Sequence, residues 1–231
     1  MNPEPFKAPV FRRLLSYFTP QLIESRAGKI SGQLEVSLEN GRLVLNGEKV
    51  NYSYGALHKV FQLAFSASGV ASRKTETALV LGFGTGSVAA ILHDELKKNT
   101  RITAVENDPE IIDIGKKYFN ISRFPGLRVE LAAAADFVSS CRDTFDLIVV
   151  DVFVEDRVPA SCTGEVFLAH LHKLLHPKGI LFFNFILAEE TQQQYDDFKK
   201  NFEKEFPEGE ELKFFIGDAD NRVFISKKRR Q

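Results

Sequence analysis

From Thr77 onward the chain alternates short apolar runs with amphipathic stretches, and this rhythm restricts the fold more than any other feature. TALVLGF (77–83), RITAVEN (101–107), LRVELAA (127–133), FDLIVVDVF (145–153) and GILFFNFI (179–186) read as strands. The segments 87–99, 108–119, 135–141, 164–175 and 191–206 read as helices. Asp108 and Pro109 stand at the start of the second, where a cap and a first-turn proline belong. ELKFFIG and NRVFISK then close the chain as a hairpin. Strands that alternate with helices need right-handed crossovers and a mostly parallel sheet. In such sheets ligands bind beyond the carboxyl ends of the strands, at the switch point of strand order. Four successive strand ends here carry Gly82–Gly86, Glu106, the Ala133 region and Asp151. They are expected to gather along one edge.

The first 75 residues have another texture. LEVSL, RLVL and EKVNYS alternate polar and apolar residues, and Asn-Gly pairs separate them. Such pairs are strong hairpin signals, so residues 30–53 are expected to form an antiparallel β-meander. A helix over 55–67 and a polar connector at 71–76 follow. The expected division is 1–75, a small β-meander with its linking helix, and 76–231, the nucleotide-binding α/β domain.

The formal net charge is −1, which gives no electrostatic case for nucleic acid. The basic end KKRRQ (227–231) reads as a solvated terminus. Neither an apolar signal core at the N-terminus nor a run of membrane-spanning length is present, so no membrane partner is expected. Cys141 and Cys162 are too few for a disulfide framework, and a reducing cytoplasm is the expected location. His170, His172 and His176 do not share a helix face, and no metal site is expected.

In 79–88, LVLGFGTGSV, glycines at 82, 84 and 86 let the chain turn sharply and a ligand approach the backbone. Glu106 ends the next strand, where its carboxylate can accept both hydroxyls of a ribose. The loop alone suits either a dinucleotide or S-adenosylmethionine (SAM). Taken in order, ALVLGFGTGS, ITAVENDPEII, FDLIVVD and LHKLLHPKGILFFNF resemble the motifs of the class I SAM-dependent methyltransferase superfamily. The resemblance implies a Rossmann-like α/β fold whose seven-stranded, mostly parallel sheet ends in an antiparallel hairpin. With the N-terminal meander and its Leu45-Asn46-Gly47 turn included, residues 30–227 resemble the spermidine synthase family. Its members transfer the aminopropyl group of decarboxylated SAM to a polyamine, and they are commonly dimers or tetramers, so the resemblance implies a homo-oligomer, a dimer among the options.

The resemblance implies cofactor contacts at Gly82, Gly84, Thr85, Gly86 and Glu106, with Asp136 a further contact if its loop shifts. Asp151 is the implied catalytic acid, and His58 matches one half of a catalytic helix motif. Three departures stand out. Thr85 replaces an acid of the family's glycine loop, Ala132-Ala133 replace a Gly-Asp pair, and the second catalytic acid is kept only if Glu155 or Asp156 is re-registered. The free ammonium of decarboxylated SAM suits an acid at position 85, whereas intact SAM would set its own carboxylate against one. The favoured expectation is therefore a SAM-dependent methyltransferase of a small-molecule acceptor, an amine among the candidates. Aminopropyl transfer from decarboxylated SAM and a non-catalytic nucleoside-binding protein stay open as alternatives.

Overall fold

The computed structural model describes residue 6 and residues 8–47, 51–154, 157–216 and 219–228. Glu155, Asp156 and the end of the basic tail lie outside the described residues. After a short helix α1 (Val10–Leu15), four strands form an antiparallel sheet in chain order: β1 (Gln21–Ala27), β2 (Gln33–Glu39), β3 (Arg42–Asn46) and β4 (Asn51–Ser53). Asn40 and Gly41, at φ 48° and 76°, make the left-handed turn between β2 and β3. The sheet begins earlier than the alternation suggests. In β1 the polar residues Glu24 and Arg26 are engaged instead of solvated, so no apolar rhythm announces the strand. Glu24 accepts from Lys117, Tyr118 and Arg26, and Arg26 also reaches Glu110 at 2.9 Å.

Helix α2 (Ala56–Ala67) leads into a seven-stranded sheet of order β10-β11-β9-β8-β5-β6-β7. Strands β5 (Thr77–Leu81), β6 (Arg101–Glu106), β7 (Leu127–Leu131), β8 (Phe145–Val150) and β9 (Leu175–Leu187) are parallel. The closing hairpin, β10 (Glu210–Ile216) and β11 (Ala219–Lys227), is antiparallel, with β11 on β9. The chain moves outward from β5 to β7 and returns to place β8 on the other side of β5, so the strand order switches there. Helices α3 (Ser87–Ala90) and α4 (Pro109–Tyr118) pack with α2 on one face. Helices α5 (Ala134–Ser140), α6 (Glu165–Leu174) and α7 (Gln192–Glu205) cover the other. Phenylalanine supplies much of the second layer: the rings of Phe183 and Phe198 lie 4.4 Å apart, and Phe224 stands edge-on to Phe198 at 4.9 Å.

The helix expected over 87–99 is shorter. It widens into a π turn at Ile91–Glu95 and stops where Lys97 takes a left-handed φ of 53°. The wide turn sets Asp94 against Arg123 at 2.6 Å and Glu95 against His58 at 2.7 Å.

Asp108 holds the two sheets together. It caps α4 through the Glu110 amide at 2.9 Å and also accepts from the amides of Lys29 (3.2 Å), Ile30 (2.9 Å) and Ser31 (2.9 Å). Burial alone would raise its pKa, but these four donors outweigh it and hold the carboxyl below its ordinary range. Among the described residues no helix is long and apolar enough to cross a membrane.

Candidate active site

A cavity of about 210 Å³ opens at the carboxyl ends of the parallel strands, beside the switch in strand order. Gly82, Gly84, Glu106, Ala132–Ala135 and Asp151 line it, so the four predicted strand ends do meet. Ser31 and Leu57 complete the wall from the N-terminal part, and 152–154 with Pro159, Ser161 and Cys162 form the opposite lip.

The glycine loop is shaped by its backbone. Gly82 sits at φ 78°, and a Cβ there would lie 2.1 Å from the Asp151 carbonyl oxygen. Gly82→Ala is therefore expected to cost about 3 kcal/mol of stability, through strain and the displaced neighbouring strand end. A thermal melt beside wild type checks this. Gly86, at φ 97°, starts α3 in a conformation that suits glycine.

Glu106 is 6% exposed, and both its oxygens are used. Oε2 accepts from the Gly84 amide at 2.9 Å, and Oε1 from the amides of Asn107 (2.9 Å) and Asp108 (3.1 Å). The carboxylate thus ties the glycine loop to the end of β6. Burial raises its pKa, and the three backbone donors only partly offset that.

Asp151 follows β8 directly. Its amide donates to Leu81 O at 2.8 Å, and its Oδ1 accepts from Asn184 Nδ2 at 3.0 Å. Burial pushes its pKa up to about 7; the Asn184 hydrogen bond pulls it down, and the charge of Glu106 adds to the rise.

Other predicted residues lie elsewhere. Leu57 faces this cavity, but His58 lines a second one, of about 700 Å³, between the N-terminal sheet and the α3–α4 side. Neighbours on a helix point about 100° apart, and here that turn sends Leu57 and His58 to different cavities. His58 stacks on Tyr54 with centroids 5.4 Å apart and bonds Glu95, away from Asp151. Thr85 is fully buried and does not line the cavity. Asp136 is exposed in the first turn of α5, and the wall at that height is the alanine run 132–135.

The residues fit a SAM-type nucleoside. The loop backbone at Gly82 and Gly84 is bare of side chains, an acid ends β6, and the alanine run leaves an apolar wall. Sheet order, terminal hairpin and glycine loop together define a class I SAM-dependent methyltransferase fold. Within that class, the chain belongs to the spermine/spermidine synthase domain family, which it matches over residues 62–226. A Drosophila melanogaster protein named eEF1A lysine and N-terminal methyltransferase homolog is 29% identical over 175 residues, 69% of this chain and 26% of that protein. The chain thus spans about a quarter of that relative's length. Among solved structures, a probable spermidine synthase from Corynebacterium glutamicum superposes with a TM-score of 0.72 at 17% identity, over 89% of this chain and 79% of the other. Human methyltransferase-like protein 13 in complex with SAH gives a TM-score of 0.62 at 21% identity, over 77% of this chain and 84% of the other.

Two residues of the site escape a sequence reading. Asn184 and Asn221, 0% and 1% exposed, stand in strands β9 and β11 behind Asp151. The only signal is a lone amide inside the apolar run LFFNF.

Proposed function

We propose that the chain is a SAM-dependent methyltransferase acting on an amine. One observation carries the choice of cofactor. Among the described residues only two carboxylates line the cavity, Glu106 and Asp151, and the glycine loop carries none. With those two acids assigned to the ribose and to proton transfer, the ammonium of decarboxylated SAM finds no further acid in the cavity, and a polycationic acceptor meets few charges. When bound, SAM supplies a methyl group on a sulfonium sulfur, which leaves as the neutral thioether. Gly82 and Gly84 would hold the cofactor by backbone approach, and Glu106 would hold its ribose. An amine attacks only when neutral, so its proton must leave first. Asp151, with a pKa raised to about 7, is matched to take that proton near neutral pH. The remaining contribution of the site is to align the partners.

The methyltransferase name of the Drosophila relative supports the reading and makes a protein amine, a lysine or an N-terminus, a candidate acceptor. The family match and the spermidine-synthase superposition favour a second reading, aminopropyl transfer. Incubation with methyl-labelled SAM and a panel of putrescine, spermidine, lysine-bearing and free-N-terminus peptides separates the two. Label in an amine of the panel is the expected result. Spermidine formed from putrescine and decarboxylated SAM, with no methylated product, would establish the second reading instead. A well-folded chain that binds neither cofactor at millimolar concentration would point to a non-catalytic protein.

A further inference from the structure

A row of polar side chains runs across three adjacent strand positions behind the cavity. Asp151 ends β8, Asn184 lies beside it on β9, and Asn221 lies beyond on β11. Asn184 Nδ2 donates both to Asp151 Oδ1 at 3.0 Å and to Asn221 Oδ1 at 3.3 Å, and Asn221 Nδ2 donates to the Ala219 carbonyl at 3.4 Å. The row is embedded in apolar packing: Phe183 and Phe185 flank Asn184 in sequence and are fully buried, as is Val223 opposite it. A buried amide is costly unless it is bonded, so apolar side chains would serve packing better here. Asn184 Oδ1 is buried without a hydrogen-bond partner among the described residues. The amide is thus held by what it donates to, and its strongest acceptor is Asp151. The Asp151 carboxylate makes no other hydrogen bond among the described residues, so Oδ2 is left for the cavity.

We propose that Asn184, anchored by Asn221, is a positioning residue that orients the Asp151 carboxylate, engaging Oδ1 and leaving Oδ2 to receive the proton of the acceptor amine. The assignment rests on the transferase reading of the cavity. The proton leaves the ammonium nitrogen for Oδ2, the nitrogen keeps the electron pair, and the carboxylate becomes a neutral acid. Asn184 donates to the charged form and so favours the carboxylate before the transfer. The other titratable groups lining this cavity among the described residues are Glu106 on β6 and the Cys162 thiol across it. Glu106 opposes the charge on Asp151, so Asn184 is the neighbour that sustains it.

The test is a carbon-13 carboxyl NMR titration of the full chain, wild type and Asn184→Leu, with Asp151→Asn to assign the signal. The Asp151 midpoint is expected to rise by about one pH unit in Asn184→Leu, a tenfold gain in proton affinity. A residue that only packs would lower the melting temperature and leave the midpoint in place, and an unchanged midpoint overturns the proposal. If Asn184→Leu does not fold, the wild-type side-chain amide of Asn184 decides. Its resonances must follow the Asp151 titration, and resonances flat through that range overturn the proposal equally. Calorimetric binding of S-adenosylhomocysteine, run on the same samples, tests the transferase reading separately. Its failure there leaves the Asp151 titration still measurable.

Discussion

Asp151→Asn is expected to abolish transfer while stabilising the fold at alkaline pH. The loss of activity follows from removing the proton acceptor, an effect of about 10²–10⁴ in rate. The gain in stability follows from linkage. Asp151 titrates at about 7 in the folded chain against an ordinary 3.8. A carboxyl whose folded pKa is raised disfavours the native state once it must ionise. Stability therefore falls as pH rises from about 4 to about 7, and the penalty is complete above that. The gap between the two values corresponds to about 4 kcal/mol. Partial exposure to the cavity screens some of it, so about 2 kcal/mol is the expected gain in the variant at pH 8. Denaturant melts of both proteins at pH 4 and pH 8 measure it: the curves should nearly coincide at pH 4 and separate at pH 8. Equal stability at both pH values, with activity lost, would mean that Asp151 carries no ionisation penalty.

Asp108→Ala should also cost about 3 kcal/mol of stability. In a chain of this size that is roughly 6–12 °C in melting temperature. The carboxylate accepts four backbone hydrogen bonds, three of them from the 29–31 segment of the N-terminal part. The cost exceeds that of a lost helix cap because three further backbone hydrogen bonds, from Lys29, Ile30 and Ser31, are lost with it. Ser31 of that segment lines the cavity, so S-adenosylhomocysteine affinity should fall as well. The sign of the pH effect is opposite to that of Asp151. Asp108 is held below its ordinary pKa, and the hydrogen bonds from Lys117, Tyr118 and Arg26 outweigh burial to bring Glu24 down to about 2. Their contribution is present above the ordinary carboxylate values and is lost as pH falls toward 2. Acid unfolding of the wild type should therefore begin below about pH 4, and Asp108→Ala should flatten that limb.

The sheet was legible where one rhythm governed many residues. The central strands β5, β8 and β9 are apolar on both faces because helices cover both, and such runs are plain in a sequence. β1 was not legible because its polar residues are spent on α4 across the two sheets, a partnership that only tertiary structure creates. Glu106 and Asp151 could be found because acids that end apolar strands have no packing reason to be there. His58 and Thr85 could not be placed, since a motif match does not say which way a helix or a tight loop turns a side chain. Asp108 read only as a helix cap, because its other three donors lie 77 to 79 residues away. Asn184 was hidden for the same reason: its meaning comes from Asp151 and Asn221 on neighbouring strands.

The choice of intact SAM rests on a cavity whose carboxylates, among the described residues, are Glu106 and Asp151 alone, and calorimetry on the full chain tests it most directly. SAM and decarboxylated SAM are titrated side by side at pH 7.5. We expect SAM to bind at least about tenfold more tightly, a difference of about 1.4 kcal/mol. Tighter binding of decarboxylated SAM would contradict the methyltransferase reading and return the chain to aminopropyl transfer.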